Sequence, residues 1–111
     1  MNLNPEPFGK IMCGLKTIEL RLYDEKRSEI AVGDIIIFTN TKDSTQKLTS
    51  KVIKLHKFPN FEELYKKLPL LKCGYTDENV STAKASDMNI YYSNEQISKY
   101  GVVGIEIELI D

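Results

Sequence analysis

The sequence has no tryptophan, one histidine and only two cysteines among its 111 residues. Cys13 and Cys73 stand far apart in the chain. With no leader peptide before them, we expect two reduced thiols rather than a disulfide. A single histidine and the lack of a closely spaced cysteine pair leave no closed zinc site. We therefore predict that the protein uses neither a metal nor another cofactor.

Long apolar segments are also absent. The longest runs resemble Ile35–Phe38, far below the roughly 18 residues needed to cross a bilayer. The first seven residues combine prolines with acidic and amide side chains, and they lack the basic start and apolar stretch of a signal peptide. These features predict a cytoplasmic protein that does not contact membranes.

The length and composition fit one folded domain, which we assign to residues 1–111. Hydrophobic residues make up 41% of the chain and charged residues 28%, a balance that supports a core and argues against disorder. The net charge of −1 hides an uneven distribution. Residues 42–72 hold eight lysines against three acids. This basic segment is either a surface that attracts phosphates or an ordinary solvated hairpin and helix.

Hydrophobic periodicity predicts helices and strands along the whole chain. Apolar residues recur at helical spacing in some segments and alternate with polar ones in others. The predicted helices cover 5–13, 61–67, 86–91 and 93–101; the predicted strands cover 16–23, 35–38, 47–58 with a bulge near Val52, and 103–109. Strand 35–38 is apolar throughout, which predicts a central position in the sheet. Residues 39–45 and 70–85 are predicted to be connections, the second with one short helical turn.

This order of elements favours an α+β fold, a small mixed or antiparallel β-barrel with short flanking helices. It does not alternate strand and helix, as a parallel sheet would require. We find no internal repeat, linker or second domain.

The strongest candidate for a functional site is the predicted strand that follows Gly14. Alternate side chains of a strand share a face, so Thr17, Glu19 and Arg21 form a polar row, with Lys16 at the entrance to the strand. A carboxylate can accept from the exocyclic amine of a base, and a guanidinium can donate two hydrogen bonds to carbonyl or phosphate oxygens. A lysine beside a hydroxyl and a carboxylate can also support hydrolysis. The alternative is an outward polar face on which Glu19 and Arg21 pair with each other.

Several segments together resemble the small bacterial proteins that consist of an ASCH domain, a member of the PUA-like superfamily. The resemblance extends over nearly the whole chain and is carried by residues 4–8, 32–34, 58–65, 91–93 and 99–106 and by the motif Gly14-Leu15-Lys16-Thr17-Ile18-Glu19-Leu20-Arg21 and its continuation to Arg27. It implies a PUA-like β-barrel with flanking helices. It also implies a cleft between barrel and helices, lined by the Lys16–Arg21 strand.

The resemblance implies two kinds of activity. ASCH domains are generally proposed to bind RNA, whereas one branch deacetylates acetylcytidine and another has been proposed to cleave RNA. In the deacetylating branch a lysine, a threonine and a later glutamate are catalytic. Lys16 and Arg21 match that branch's motif, but Glu19 replaces the threonine, and Glu95 is only the nearest candidate for the glutamate.

Three hypotheses therefore remain open, and the sequence does not decide whether the protein is an enzyme. The first is a module that binds RNA or a modified nucleoside through Thr17, Glu19, Arg21, Arg27 and Tyr92. The second is a small amidohydrolase or RNA-cleaving enzyme with Lys16 and Glu19 as catalytic residues. The third is an interaction domain without a small ligand. Tyr75, Tyr91 and Tyr92 are predicted either to stack on a base or simply to pack, and Arg27 is predicted to reach a phosphate. The oligomeric state is not indicated.

Overall fold

The computed structural model describes residues 1–110 and contains one curled sheet of five strands in the order β1-β3-β4-β5-β2. Strands β1 and β3 are parallel, and every other neighbouring pair is antiparallel. The elements are β1 (Asn2–Leu3), α1 (Pro5–Met12), β2 (Ile18–Leu22), β3 (Ile35–Asn40), β4 (Asp43–Phe58), α2 (Phe61–Lys67), α3 (Asn94–Tyr100) and β5 (Val102–Leu109). The predicted α+β fold, a barrel-like sheet with short flanking helices, is confirmed.

Helix α1 begins and ends where its sequence predicts. Pro5 occupies the first helical turn, which suits its fixed φ and missing amide. Phe8 and Ile11 are buried on one face. Gly14 follows with φ 85°, a left-handed conformation that favours glycine and turns the chain toward β2.

Strand β2 is buried on both faces, whereas its alternating sequence predicted a half-buried strand. Ile18, Leu20 and Leu22 pack into a core under α2 and α3. Glu19, on the opposite face, is only 4% exposed. Periodicity correctly separates the two faces of a strand, but it does not indicate that a second layer of structure covers the polar one.

Strand β3 departs from the prediction of a central position. It lies between β4 and the two-residue strand β1. Ile36 and Phe38 face the core, whereas Ile35 and Ile37, on the other face of the sheet, are 54% and 49% exposed. The unbroken apolar run Ile35–Phe38 therefore reflects the strand propensity of β-branched isoleucines and not burial on both faces.

Strand β4 begins earlier than predicted, because residues 39–45 form a tight hairpin instead of a loose connection. The register against β5 shifts between Val52 and Lys54, which confirms the predicted bulge. The segment between α2 and α3 contains three short 3₁₀ turns, Leu70–Cys73, Val80–Thr82 and Ala85–Ile90. The last of these replaces the helix predicted over 86–91.

Side-chain caps fix the starts of helices α2 and α3. The Asn60 side chain accepts a hydrogen bond from the Glu63 amide at the start of α2. Ser93 and Gln96 form a reciprocal capping box at the start of α3. Gly101 ends α3 with φ 72°, so both predicted helices are confirmed.

Two hydrophobic cores lie on the two sides of the sheet. The first fills the concave side and joins α1 to strands β1, β3, β4 and β5. The second joins β2 to α2 and α3. In residues 1–110 none of the helices combines the length and the apolar character needed to cross a membrane.

Gly104 tests how closely β5 packs against the second core. A β-carbon at this position would lie 2.7 Å from Leu68 Cδ1 and 3.2 Å from Ile18 Cγ2. We therefore expect Gly104→Ala to lower the free energy of unfolding by about 1–3 kcal/mol through overpacking, measured by urea denaturation. Gly9→Ala in α1 is the control, because nothing lies within 4 Å of its added methyl group. That change should raise stability by about 0.5–1 kcal/mol. Equal stability of parent and Gly104→Ala would contradict the close packing.

Candidate functional site

A cleft of about 480 Å³ opens on one side of the sheet. One part of its lining comes from β1, α1 and β2, and another part comes from Tyr65 of α2 and from residues 73–75, 87, 88 and 90–92. The loop between α2 and α3 therefore supplies most of this second part.

The floor of the cleft is a buried group of three charged side chains. Lys16 Nζ lies 2.6 Å from Glu19 Oε1. Arg21 donates from Nε and Nη2 to Glu19 Oε2 at 2.9 and 2.8 Å. Lys16 is 9% exposed and Glu19 4%. The carboxylate is stable in this position because two cations and three hydrogen bonds replace its water shell.

Backbone contacts fix the position of Lys16. Its amide donates to the Lys10 carbonyl at the end of α1, at 3.0 Å. The next amide, that of Thr17, donates to the Lys72 carbonyl at 2.9 Å. Lys16 is thus held between α1 and the 3₁₀ turn before Gly74, and its ammonium group is directed to Glu19.

Arg21 also bridges the two edges of the sheet. Its Nη2 donates to the Asn2 carbonyl of β1 at 3.0 Å, while its own strand β2 lies at the other end of the strand order. The Arg21 side chain therefore connects β1 and β2, the two edge strands, which do not pair with each other through the backbone. In residues 1–110 no buried side-chain nitrogen or oxygen lacks a hydrogen-bond partner.

The lining that α2 and the following loop supply is an aromatic wall. It contains Tyr65, Tyr75, Tyr91 and Tyr92. The Tyr92 ring stacks on Phe61, with centroids 6.2 Å apart and planes 14° apart. Tyr65, Tyr75 and Tyr92 are half-buried and Tyr91 is exposed, and their rings offer π surfaces to a ligand in the cleft.

A hydrogen-bonded chain fixes this wall. The Tyr65 and Tyr75 hydroxyls are 2.7 Å apart, and the Tyr75 hydroxyl donates to Asp87 Oδ2 at 2.8 Å. Burial, followed by its bonds to Tyr65 and Asp87, raises the pKa of Tyr75 well above its usual range. Bonds from the Lys84 amide and from Tyr75 lower the pKa of Asp87. Tyr75 therefore remains a donor and Asp87 an acceptor over the ordinary pH range.

The charges that line the cleft balance. Its cations are Lys10, Lys16 and Arg21, and its carboxylates are Glu6, Glu19 and Asp87. Glu6 pairs with Lys10 at 3.1 Å. None of the eight lysines of the basic segment 42–72 is among the lining residues. The basic segment and the cleft are therefore separate features.

Cys73 lies against the charged floor. Burial raises the pKa of its thiol to about 11, an effect that the Lys16 charge opposes. The thiol is thus a neutral, weakly polar surface at neutral pH. Both cysteines are free. Within the described part of the chain no group of three or more histidine, cysteine, aspartate and glutamate side chains could hold a metal ion.

The cleft contains six of the side chains that the sequence singled out, Lys16, Glu19, Arg21, Tyr75, Tyr91 and Tyr92. Thr17 and Arg27 are not among its lining residues. Thr17 lines a shallow groove on the other side of the same backbone, beside His56. Arg27 pairs with Asp24 at 3.1 Å.

The acidic residue of the aromatic wall is Asp87, whereas exposed Glu95 lies outside the lining residues. Sequence analysis did not single out Asp87, Tyr65 or Lys10 as site residues. Their only sequence signal was position, since Asp87 and Tyr65 flank the irregular segment that folds over the strand. Periodicity carries no information about where such a loop returns to the sheet.

The sequence matches the ASCH domain family over residues 1–111. The chain belongs to the ASCH domain family. Its structure is similar to the crystal structure of the hypothetical protein PH0355, with a TM-score of 0.78 and 38% identity over 99% of this chain and 96% of that one. It is also similar to the solution structure of protein PF0455 from Pyrococcus furiosus, with a TM-score of 0.72 and 31% identity over 100% and 99% of the two chains. No curated protein matches the ASCH chain significantly.

Glu19→Gln tests the charged floor. The substitution leaves Lys16 and Arg21 close together without their shared anion. We expect the free energy of unfolding to fall by about 3–5 kcal/mol, as for other buried ion pairs that lose one partner, measured by urea denaturation. Glu6→Gln removes an 80% exposed carboxylate and should change stability by less than about 1 kcal/mol. Similar losses for the two variants would argue against a structural role for Glu19.

Proposed function

We propose that the cleft binds a single nucleobase, presented by RNA or by a modified nucleoside. The observation that carries this proposal is the presence of a charge-balanced, hydrogen-bonding floor and an aromatic wall in one cleft. A planar ligand with polar edges and two apolar faces is complementary to both surfaces. ASCH domains are generally thought to bind RNA, which agrees with this class of ligand.

The floor has hydrogen-bonding capacity left for a ligand. Lys16 has three donors and uses one on Glu19, and Arg21 has five and uses three on Glu19 and Asn2. A carboxylate offers about four acceptor positions, of which Glu19 uses three. The remaining donors suit the carbonyl or ring nitrogen of a base, and the remaining acceptor suits an exocyclic amine.

The aromatic wall supplies the second part of the affinity. Stacking of a base on an aromatic side chain is worth about 1–3 kcal/mol and tolerates any base. Tyr92 already packs on Phe61, so little side-chain conformational freedom is lost when a base stacks on it. We expect the wall to provide affinity and the floor to provide selectivity.

The balanced charge favours the base over the phosphate as the group that enters. Each cation of the cleft already has a carboxylate within 3.1 Å. A phosphate placed among them would meet these carboxylates as like charges and would require their partners to separate. An uncharged base meets no such repulsion. The proposal assigns no contact inside this cleft to Thr17 or Arg27.

Arg21→Lys tests the role of the floor in recognition. Lysine keeps the positive charge but loses the planar fork. We expect about tenfold weaker binding of the best ligand among the free nucleosides and acetylcytidine, measured by isothermal titration calorimetry. Arg27→Lys is the matched control, because Arg27 lies outside the cleft and pairs with Asp24. It should bind like the parent. If the parent binds no nucleoside, or if Arg21→Lys and Arg27→Lys lose affinity equally, the proposed site is wrong.

A second function, hydrolysis of an acylated nucleoside, is favoured by one observation. The Lys16 ammonium and the Glu19 carboxylate lie 2.6 Å apart at the floor, an arrangement in which a proton can pass between an amine and a carboxylate beside a bound base. The pair would then take a proton from the attacking water and deliver one to the cytidine amine as the bond between that nitrogen and the acetyl carbon breaks, which releases acetate and cytidine.

Lys16→Gln separates the two functions. If the cleft is hydrolytic, the parent releases acetate from acetylcytidine, and the variant loses at least about a hundredfold in rate, as expected for removal of a general acid or base. Chromatography of the products measures both rates. If the parent converts no acetylcytidine, or if the variant converts it as fast as the parent, hydrolysis by this pair is excluded. The proposal that the cleft binds a base would still stand.

A further inference from the structure

Two exposed side chains, Ile90 and Tyr91, lie at the rim of the cleft, and we call this pair the lip. Ile90 is 84% exposed and Tyr91 is 65% exposed. Both border the cleft, next to the aromatic wall. Ile90 is more exposed than any other large hydrophobic residue in the described chain, and adjacent exposed apolar groups commonly mark a binding surface.

Hydrogen bonds hold this pair outward. The amides of Tyr91 and Tyr92 both donate to the Met88 carbonyl at 3.0 Å. The Asn89 side chain donates to the Tyr92 carbonyl at 3.1 Å and to Asn94 Oδ1 at 2.9 Å. These bonds tie the turn to the start of α3. Met88 and Tyr92 occupy the inward positions, packed against the second core, so Ile90 and Tyr91 have no vacant place inside.

The lip continues the surface on which we propose that a base stacks. The Tyr91 ring lies 6.4 Å from the Tyr92 ring at 55°, and Tyr92 in turn stacks on Phe61. A base inside the cleft therefore has an apolar, partly aromatic surface directly beyond it. A free nucleoside would leave that surface uncovered, whereas a nucleotide joined to it in a strand would reach it.

We infer that Ile90 and Tyr91 form a wedge that packs against the nucleotide next to the one in the cleft, so that the partner of the domain is an unpaired RNA strand rather than a free nucleoside. This inference rests on the proposed function. Aliphatic side chains can insert between bases and unstack them, and aromatic side chains stack on single strands. Within a duplex both bases are already stacked and paired, so a loop or single strand binds at lower energetic cost.

Other exposed apolar residues do not offer this continuity. Val32, Ile35 and Ile37 are 61%, 54% and 49% exposed, but none of them borders the cleft. They provide matched controls, because a serine at Val32 removes similar apolar surface at a distance from the proposed ligand.

The experiment compares the parent, Ile90→Ser and Val32→Ser for binding to three probes. The probes are the best free nucleoside, a short single-stranded RNA that contains it, and the same RNA in a perfect duplex. A 2-aminopurine placed beside the recognised base reports unstacking through its fluorescence. We expect the ratio of single-strand to nucleoside affinity to fall about tenfold in Ile90→Ser, since the apolar contact of Ile90 with the neighbouring base is lost. We expect no change in Val32→Ser.

Several results would overturn the wedge. These are an unchanged ratio in Ile90→Ser, an equal fall in Val32→Ser, duplex binding as tight as single-strand binding, or no RNA binding by the parent. Sedimentation gives a further outcome: self-association of the parent that Ile90→Ser abolishes would assign the lip to contacts between copies. Failure of the proposed function is distinct, because then the parent binds no nucleoside or Arg21→Lys has no effect on nucleoside binding.

Discussion

The buried carboxylate of Glu19 is the constraint on which the rest of the site depends. A charge that is 4% exposed is tolerated only with opposite charges and hydrogen bonds around it. This requirement fixes Lys16 at the end of the turn after α1 and aligns Arg21 along β2. Arg21 then reaches Asn2 and joins the two edges of the sheet. One acidic side chain thus links the electrostatics of the cleft to the closure of the fold.

The floor and the wall of the cleft suit different parts of the proposed ligand because their chemistry differs. The floor is polar, balanced in charge and built on a rigid strand, which suits selective hydrogen bonding. The wall is aromatic: Tyr65 comes from α2 and the other tyrosines come from the loop, where Asp87 holds Tyr75. Stacking on such a wall distinguishes bases poorly, but it adds affinity for any of them. The combination favours recognition of a base edge over capture of a phosphate backbone.

The sequence predicted the regular parts of the fold well. Helix α1, the bulge in β4, helix α3 and strand β5 follow from periodicity, caps and glycines, all of which are local signals. The strand β1 was missed because two residues carry no periodicity. The burial of Glu19 was missed because alternation separates faces without showing what covers them.

The site was predictable only in part for the same reason. Lys16, Glu19 and Arg21 lie on one regular strand, and both their pattern and the family resemblance pointed to them. Tyr65, Tyr75 and Asp87 meet through a loop of 3₁₀ turns whose path depends on tertiary contacts. Thr17 and Arg27 show the opposite case. Their residue types fit a ligand, but Thr17 faces another groove and Arg27 is paired with Asp24.

The bridge between Arg21 and Asn2 has a consequence for how the chain folds and how it varies. Both edges of the sheet belong to the first part of the sequence, and the residues that join them are only 19 positions apart. The entropy of closing so short a loop is small, whereas β4 and β5 must find each other over a much longer stretch, such as the 50 positions between His56 and Glu106. The Arg21–Asn2 contact is therefore local in sequence, although the two strands that it joins are held by distant partners, β1 by β3 and β2 by β5. We expect a change in the N-terminal strand to be tolerated only together with the strand that Arg21 occupies.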